Sequence, residues 1–135
     1  MDFSDRYLAE SLDIIGKLSR PSIEATAQLL RATRDAQGRV FVLGVGGSAA
    51  TASHFVNDLR KITHLEAYAP TDNVAELTAR TNDEGWASCF AGWLKGSHVR
   101  AGDLVFVLSV GGGDAEKNIS PNLVQALDVA KAAGA

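Results

Sequence analysis

The stretch V-F-V-L-G-V-G-G-S-A-A-T-A-S-H-F-V-N-D-L-R-K-I, residues 40–62, decides how the rest of the chain is interpreted. It begins with an apolar run, passes through a glycine-rich turn and continues as a helical pattern that starts at Ser48. Glycines let the backbone approach a ligand closely, and the first turn of a helix offers free N–H groups at the positive end of the helix dipole. This order of strand, glycine loop and helix is typical of a phosphate site. A tight turn without a ligand is the alternative.

Composition favours one domain that binds neither nucleic acid nor membranes. The chain has 135 residues, about one domain's worth, and 46% of them are hydrophobic, which is enough to form a core. A net charge of -3 gives no basis for attraction to nucleic acid or to an acidic membrane. The single cysteine, Cys89, excludes an intrachain disulfide, and the N-terminus lacks the features of a signal peptide. We therefore expect a cytoplasmic protein in which Cys89 is a small buried side chain.

Two helices are predicted ahead of the first strand. Apolar residues recur at helical spacing from Tyr7 to Leu18, and Ser4 is the expected N-cap. The second helix is predicted to begin near Pro21 and to end at Gly38, which fits the C′ position. Leading helices of this kind either cover their own sheet or pack on another subunit, and the sequence leaves both roles open.

Strands and helices alternate along the rest of the chain. Residues 40–43 and 104–108 are apolar runs without polar alternation, which predicts strands buried on both faces. Residues 65–68 form a weaker strand candidate. Helices are predicted over residues 48–63, within 71–80 with Asp72 or Asn73 as the cap, over 86–95 ended by Gly96, and from Pro121 to about residue 132, with Ser120 as its cap and Gly134 at C′. This alternation predicts an α/β fold with a parallel sheet and flanking helices.

A second glycine-rich loop, S-V-G-G-G-D at residues 109–114, follows the strand that ends at Leu108. Loops that leave the carboxyl ends of parallel strands can face one crevice, which is where open α/β sheets bind ligands. A flexible connector without a ligand is the alternative. The candidate phosphate donors here are the hydroxyl and main-chain N–H groups of Ser109, Gly111, Gly112 and Ser120.

Two polar pairs are candidates for chemistry. His54 and Asp58 are four residues apart on the helix that leaves the first glycine loop, so they lie on one face and can share a metal ion or act as an acid/base pair. A hydrogen-bonded surface pair is the alternative. Asn82 and Asp83 fall in a predicted turn over residues 81–85 and could face the same crevice, although a helix cap or an Asx-turn is the commoner use of such residues.

Three segments resemble the SIS (sugar isomerase) domain, and in particular the phosphoheptose isomerases. They are V-L-G-V-G-G-S-A-A-T-A-S-H-F-V-N-D-L, T-D-N-V-A-E-L-T-A-R-T-N-D-E-G and G-D-L-V-F-V-L-S-V-G-G-G. The resemblance implies a single SIS domain over residues 1–135 with a flavodoxin-like or Rossmann-like three-layer fold. Residues 1–38 would form the N-terminal helices and residues 39–135 the N-terminal part of the sheet, with the C-terminal strands absent.

The resemblance also implies an activity and a site. Phosphoheptose isomerases interconvert sedoheptulose 7-phosphate and a heptose 7-phosphate through an enediol, as aldose–ketose isomerases, and are commonly homotetramers, so we expect a phosphorylated sugar as substrate and a homo-oligomer. Asp58 matches a catalytic base that is a zinc ligand in some members, and His54 matches a histidine that binds zinc in some members. The implied substrate-binding residues are Gly46, Gly47, Ser48, Asn82, Asp83, Ser109, Gly111, Gly112 and Ser120.

The chain departs from the family pattern at several points. Val45 stands where the family usually has Asn, Asp58 replaces Glu, and S-V-G-G-G-D replaces a serine-rich S-T-S-G-N-S loop. The family's later glutamine and histidine have no counterpart before Ala135. We therefore expect that the sequence is a fragment or that the protein borrows cover from a partner. A non-catalytic sugar-phosphate-binding or regulatory module and an inactive truncated chain are the alternative functions.

Overall fold

Three parallel strands lie at the centre of the computed structural model, which describes residues 2–135. The strands are β1 (Val40–Gly44), β2 (Ala67–Tyr68) and β3 (Leu104–Leu108), and their spatial order is β2-β1-β3. Both strand pairs are parallel. The predicted α/β fold with a parallel sheet is confirmed.

Helices flank this sheet on both faces. Their bounds are α1 (Phe3–Lys17), α2 (Arg20–Asp35), α3 (Gly47–Lys61), α4 (Val74–Glu84), α5 (Cys89–Gly96) and α6 (Pro121–Ala133), with a short 3₁₀ helix at Pro70–Asp72. Helix α3 packs on one face of the sheet, and α5 and α6 pack on the other. This is the three-layer arrangement that the family resemblance implied.

The alternation of side chains along β1 builds two cores. Val40 and Val42 pack toward α3, whereas Phe41 and Leu43 pack toward α5 and α6. All four side chains are buried, and each contributes about 1.5–3 kcal/mol by leaving water. Strand β1 is therefore buried on both faces, as its apolar run predicted.

The prediction that β3 is equally buried is wrong. All five of its residues are only half-buried. The reason is its place in the sheet: within residues 2–135, β3 pairs with β1 alone and forms an edge. An apolar run shows that a strand faces packed layers, but it does not show how many neighbouring strands cover it.

Both predicted boundaries of the leading helices need correction. The N-cap of α1 is Asp2, whose side chain accepts the N–H of Asp5 at 2.9 Å, and not Ser4. At the end of α2 the left-handed residue is Gln37, with φ 55°, and not Gly38. Gly38 is needed for a different reason, because a Cβ there would overlap the carbonyl group of Gly102.

The middle of the chain differs most from the prediction. Helix α4 runs on to Glu84, and the chain turns only at Gly85, which adopts φ 91°. The predicted turn over residues 81–85 is therefore wrong, and Asn82 and Asp83 form part of the last helical turn. Asn73 is the N-cap, as one of the two predicted candidates, because its Oδ1 accepts the N–H of Glu76 at 3.2 Å.

The bounds of β2 and α5 differ from the prediction, whereas the burial of Cys89 agrees with it. Strand β2 is only two residues long, and α5 begins at Cys89, later than predicted, and includes Gly96. Cys89 is buried as expected, and burial raises the pKa of its thiol. No helix within residues 2–135 combines the length and the apolar character that a membrane crossing requires.

Helix α1 does not cover the sheet. None of its residues is buried, and its large apolar side chains are all more than half exposed: Phe3, Tyr7, Leu8, Leu12, Ile14 and Ile15. Helix α2 makes limited contact through Leu30, which packs against the core on the α3 side, and through the buried Thr33. The sequence left two roles open for the leading helices, covering their own sheet or packing on another subunit. Helix α1 does not cover the sheet.

Candidate functional site

The two glycine loops leave neighbouring strand ends. In the register between β1 and β3, Gly44 lies beside Leu108. Adjacent strands are about 5 Å apart, so Val45 and Ser109 begin their loops side by side at the carboxyl edge of the sheet. The structure thus starts the two loops side by side at the carboxyl ends of the strands, whereas a ligand crevice shared by both loops stays a prediction.

The first loop depends on close approach between β1 and α3. A Cβ on Gly44 would overlap the carbonyl of Ser48 and would lie 2.9 Å from the amide nitrogen of Ala49. Gly46, with φ 61°, is the N-cap of α3, so the prediction that the helix starts at Ser48 is wrong by one residue. Gly47 and Ser48 form the first helical turn, where the positive end of the dipole favours an anion.

The pair His54 and Asp58 lies about two to three turns further along α3. His54 Nε2 is 3.3 Å from Asp58 Oδ2, and the His54 side chain is 79% exposed while that of Asp58 is 40% exposed. Asp58 Oδ1 also accepts a hydrogen bond from Asn57 Nδ2 at 3.1 Å. One carboxylate oxygen therefore faces the imidazole, and solvent or a ligand can reach both groups.

A cleft of about 310 Å³ opens beside this pair. Its walls combine polar groups of α3 with apolar side chains of β3; the lining residues are Thr51, His54, Phe55, Asp58, Phe106 and Leu108. Leu108 is the residue directly before Ser109, so the cleft adjoins the start of the second glycine loop. A carboxylate and an imidazole beside a partly apolar cleft can transfer protons to and from a bound ligand.

The second loop is folded back on itself. Asp114 and Ile119 exchange main-chain hydrogen bonds of 3.0 and 2.9 Å, and Ser109 Oγ donates to the carbonyl of Gly112 at 3.3 Å. Lys117 Nζ lies 3.6 Å from Asp114 Oδ2, so the negative charge of Asp114 has a local partner.

Ser120 does not cap α6 with its side chain. Its backbone is left-handed, with φ 47° and ψ 54°, and the predicted side-chain hydrogen bond is missing among residues 2–135. The helix starts directly after it at Pro121. Gly134 does adopt the left-handed conformation at the helix end, as predicted.

Asn82 and Asp83 are not joined to the glycine loops by hydrogen bonds within the described part of the chain. Asn82 Nδ2 donates to Asp83 Oδ1 at 2.8 Å, and both side chains are exposed in the last turn of α4. Their predicted turn is wrong, and their contact with a ligand in the crevice stays a prediction.

Comparison with known proteins identifies the fold family. The model of the SIS domain family matches residues 6–135. The chain belongs to the SIS domain family. Over 124 residues it is 36% identical to a phosphoheptose isomerase of Citrifermentans bemidjiense, and this alignment covers 88% of this chain and 60% of the relative. Over 138 residues it is 33% identical to the lincomycin biosynthesis protein LmbN of Streptomyces lincolnensis, and this alignment covers 95% of this chain and 48% of the relative.

Solved structures give the same fold. A phosphoheptose isomerase from Neisseria gonorrhoeae aligns with a TM-score of 0.77 at 28% identity, over 98% of this chain and 72% of that one. One from Francisella tularensis aligns with a TM-score of 0.79 at 26% identity, over 99% of this chain and 71% of that one. This SIS domain thus spans about half to three-fifths of the length of the curated relatives quoted above.

The donor set of this SIS domain fits part of a metal site. The imidazole and the carboxylate of His54 and Asp58 are ligand types that zinc accepts, and their 3.3 Å separation lets one ion touch both. Zinc sites commonly take three or four protein ligands, and residues 2–135 contain no group of three or more His, Cys, Asp or Glu side chains that could hold a metal ion. The pair alone therefore supplies about half of a zinc site.

Two residues that line the cleft escaped the sequence reasoning. Thr51 shares the helix face of His54 and Asp58 at i, i+3 and i+7, a spacing that could have revealed it. Phe106 was assigned to the core, and only the edge position of β3 exposes it to the cleft.

Proposed function

We propose that this SIS domain carries part of an aldose–ketose isomerase that converts sedoheptulose 7-phosphate to a heptose 7-phosphate. The observation that carries the proposal is the pair His54 and Asp58, which lines a cleft beside two glycine loops at the carboxyl edge of the sheet. The similarity to phosphoheptose isomerases supports this choice of substrate.

Asp58 is proposed as the base. With the sugar open, its carboxylate takes the proton from C1 of the ketose while the C2 carbonyl oxygen gains a proton, which forms the enediol. The proton then returns to C2 while the C1 hydroxyl loses its own, which leaves the aldose. His54, 3.3 Å from Asp58 Oδ2, is proposed to hold or pass the proton that moves between the sugar oxygens.

The phosphate and the hydroxyl groups of the sugar are proposed to bind at the two loops. Helix α3 presents its positive end at Gly46, Gly47 and Ser48, and the second loop offers peptide N–H groups. The remaining proposed contacts are those of Asn82, Asp83, Ser109, Gly111, Gly112 and Ser120.

Zinc remains a proposal as the cofactor. His54 and Asp58 would supply two ligands, and the others would come from outside the described residues. When bound, the ion would act as a Lewis acid on the sugar oxygens. A cytoplasmic location likewise remains a prediction.

A homo-oligomer is proposed as the working state. The exposed apolar face of α1 supports it, because a helix of 15 residues with no buried side chain gains little from packing within its own chain. A second copy of the same helix is the simplest cover.

Asp58→Asn tests the proposed base. The exchange keeps the size of the side chain and removes its ability to accept a proton, so we expect kcat for sedoheptulose 7-phosphate to fall by about 10²–10⁴-fold. Asp35→Asn is the matched control. Asp35 ends α2 just before β1, so it lies near the amino ends of the strands, away from the loops at their carboxyl ends. The assay follows the formation of heptose 7-phosphate with and without added zinc. Equal rates for Asp58→Asn and the wild type would refute the role of Asp58.

A non-catalytic sugar-phosphate-binding module is the second candidate. It is favoured by the small number of reactive groups beside the cleft, where residues 2–135 place one carboxylate and one imidazole. Saturable binding of sedoheptulose 7-phosphate by calorimetry, without turnover in the same preparation, would support this module and reject the isomerase for this chain.

A further inference from the structure

A cleft of about 600 Å³ lies between the ends of α5 and α6, near the amino end of β3. Three basic side chains line it, those of Lys95, His98 and Arg100, and its lining within residues 2–135 contains no acidic side chain. The whole protein carries a net charge of -3, so this basic cleft is a local feature and not a property of the surface at large. A cleft lined by charges of one sign attracts ions of the opposite sign.

The basic groups of this cleft have no acidic partner in the described part of the chain. None of its ion pairs includes Lys95, His98 or Arg100. Asp103 is close in sequence, but its side chain is 1% exposed and its Oδ2 lies 2.6 Å from Arg39 Nη2. Arg39 thus balances the charge of Asp103, and the positive charges of the basic cleft stay available to a ligand.

Helix capping does not account for these basic side chains. Basic residues near the end of a helix can serve its free carbonyl groups, but main-chain N–H groups fill that role here. The carbonyls of Trp93, Leu94 and Lys95 accept N–H groups of residues 97–99 at 2.9–3.1 Å. The N–H of Gly134 closes the end of α6 in the same way.

The loop that carries His98 and Arg100 is held in place by hydrogen bonds to its main chain. Arg39 Nη1 and Nη2 donate to the carbonyls of Ser97 and His98 at 3.0 and 2.9 Å. Asp103 Oδ2 accepts the N–H of Arg100 at 3.0 Å. A fixed main chain reduces the entropy that is lost when the side chains above it order around a ligand.

The chemistry of the lining indicates the class of ligand. The rest of the lining is apolar and consists of Val99, Val129, Ala132 and Ala133. Small-molecule sites commonly join an apolar wall to a few polar groups in a volume of about 300–1,000 Å³. Lys95 and Arg100 supply two positive charges, which match the charge of about −1.5 to −2 on a phosphate monoester at pH 7. The planar guanidinium of Arg100 can also bind two phosphate oxygens at once.

We propose that the basic cleft binds a small phosphate monoester with an apolar substituent, with the phosphate on its three basic side chains and the substituent on its apolar wall. This site is separate from the candidate sugar-phosphate site. The second glycine loop follows Leu108, and β3 rises by about 13 Å from Leu104 to Leu108, away from the basic cleft. The proposal therefore does not depend on the isomerase activity.

Phenyl phosphate is the test ligand, because it joins a phosphate monoester to an apolar ring. Calorimetry on the wild type is expected to show saturable binding that weakens as the salt concentration rises. Inorganic phosphate lacks the ring and benzoate carries a single charge, so both are expected to bind more weakly. The proposal is wrong if phenyl phosphate does not bind, or binds no more tightly than inorganic phosphate or benzoate.

Arg100→Gln and Lys95→Gln each remove one positive charge at an exposed position. Each is expected to weaken the binding of phenyl phosphate by about 10–100-fold, the size of a hydrogen bond to a charged group. Arg31→Gln is the matched control, since it removes the same charge at an exposed pair with Asp35 on α2 and should leave the affinity unchanged. Equal affinities of Arg100→Gln and Arg31→Gln would overturn the proposal.

Ala132→Asp places a carboxylate in the lining of the cleft, at an exposed position on α6. It is expected to abolish the binding of phenyl phosphate with little change in Tm, whereas Ala9→Asp, the same exchange on α1, should bind like the wild type. Sedoheptulose 7-phosphate should bind equally well to all the cleft variants. If they lose both ligands together, phenyl phosphate occupies the candidate sugar-phosphate site and the proposal is wrong. Phenyl phosphate affinity is measured without turnover, so failure of the isomerase would not affect this result.

Discussion

At the scale of single residues, Gly44 controls how closely β1 and α3 approach. It is the last residue of the strand and is fully covered by its surroundings. The main chain of Ser48 and Ala49 occupies the space where a side chain of residue 44 would begin. Any Cβ there must push the helix start away from the strand, and the first glycine loop would move with it.

Gly44→Ala is therefore expected to destabilise the fold by about 1–3 kcal/mol, the range of overpacked core positions. Gly47→Ala is the matched control: a Cβ at Gly47 meets nothing within 4 Å, and alanine is the better helix former. We expect Gly47→Ala to be neutral or stabilising by about 0.5–1 kcal/mol. Urea unfolding followed by circular dichroism measures both changes. Equal stability of the two variants would contradict the close approach.

What could be predicted for single residues depended on whether the signal was local. His54 and Asp58 were placed together correctly because helical spacing alone brings i and i+4 to one face. Asn82 and Asp83 were assigned to a turn because their residue types favour turns, yet α4 continues through them to Gly85. Asn122 shares the buried stripe of α6 with Ala126 and Ala130 at i, i+4 and i+8, so helical spacing could have indicated its burial although its residue type could not.

At the scale of elements, one buried ion pair ties the starts of β1 and β3 together. Arg39 precedes β1 and Asp103 precedes β3; Arg39 Nη2 lies 2.6 Å from Asp103 Oδ2, and the Asp103 side chain is 1% exposed. Arg39 also donates to the carbonyls of Ser97 and His98, after α5. Burial raises the pKa of Asp103, but hydrogen bonds from the Arg39 side chain and from the N–H groups of Arg100 and Arg39 outweigh it and hold that pKa below its ordinary value of 3.8.

Asp103→Asn should cost about 3 kcal/mol near neutral pH, because it leaves the Arg39 charge without its partner. A carboxylate with a lowered folded-state pKa contributes stability that is complete above the unfolded-state pKa, and this is lost as the pH falls through the folded-state value. The difference in the free energy of unfolding between the wild type and Asp103→Asn should therefore shrink below about pH 3.8.

Urea unfolding at several pH values from neutral to acid gives this difference directly. Asp13→Asn, at an exposed pair with Lys17 on α1, is the control and should change stability by less than about 0.5 kcal/mol at any pH. If the stability difference between the wild type and Asp103→Asn stays constant down to acidic pH, the ion pair is not its cause.

The elements themselves were predicted to different degrees. The two long strands were located closely because each is an uninterrupted apolar run, but sheet order decides which of them becomes an edge, and order depends on how the connections cross. Strand β2 was predicted over residues 65–68 but has only two residues in the structure, because only Ala67 and Tyr68 pair with β1. Local pattern thus located elements, whereas pairing decided their length and exposure.

At the scale of the whole molecule, α1 is the element that the rest of the chain leaves uncovered. Its apolar residues spread over one half of the helix surface, and none is buried. Apolar patches of this kind mark interaction surfaces, and an isolated helix of this length is marginal in water. A second copy of this chain is the cover that we propose for this helix.

Ile15→Asp is expected to break that assembly. Ile15 lies within the apolar face and is 62% exposed in the single chain, so a carboxylate there costs the monomer little but would be buried without a partner in the oligomer. Ala9→Asp introduces the same side chain on the polar side of α1, roughly 120° around the helix, and should leave the assembly intact. Light scattering after gel filtration at micromolar concentration should give a smaller mass for Ile15→Asp than for the wild type and Ala9→Asp, with the α/β core still folded by circular dichroism. A wild type that is already monomeric, or an unchanged mass for Ile15→Asp, would show that α1 does not hold copies of this chain together.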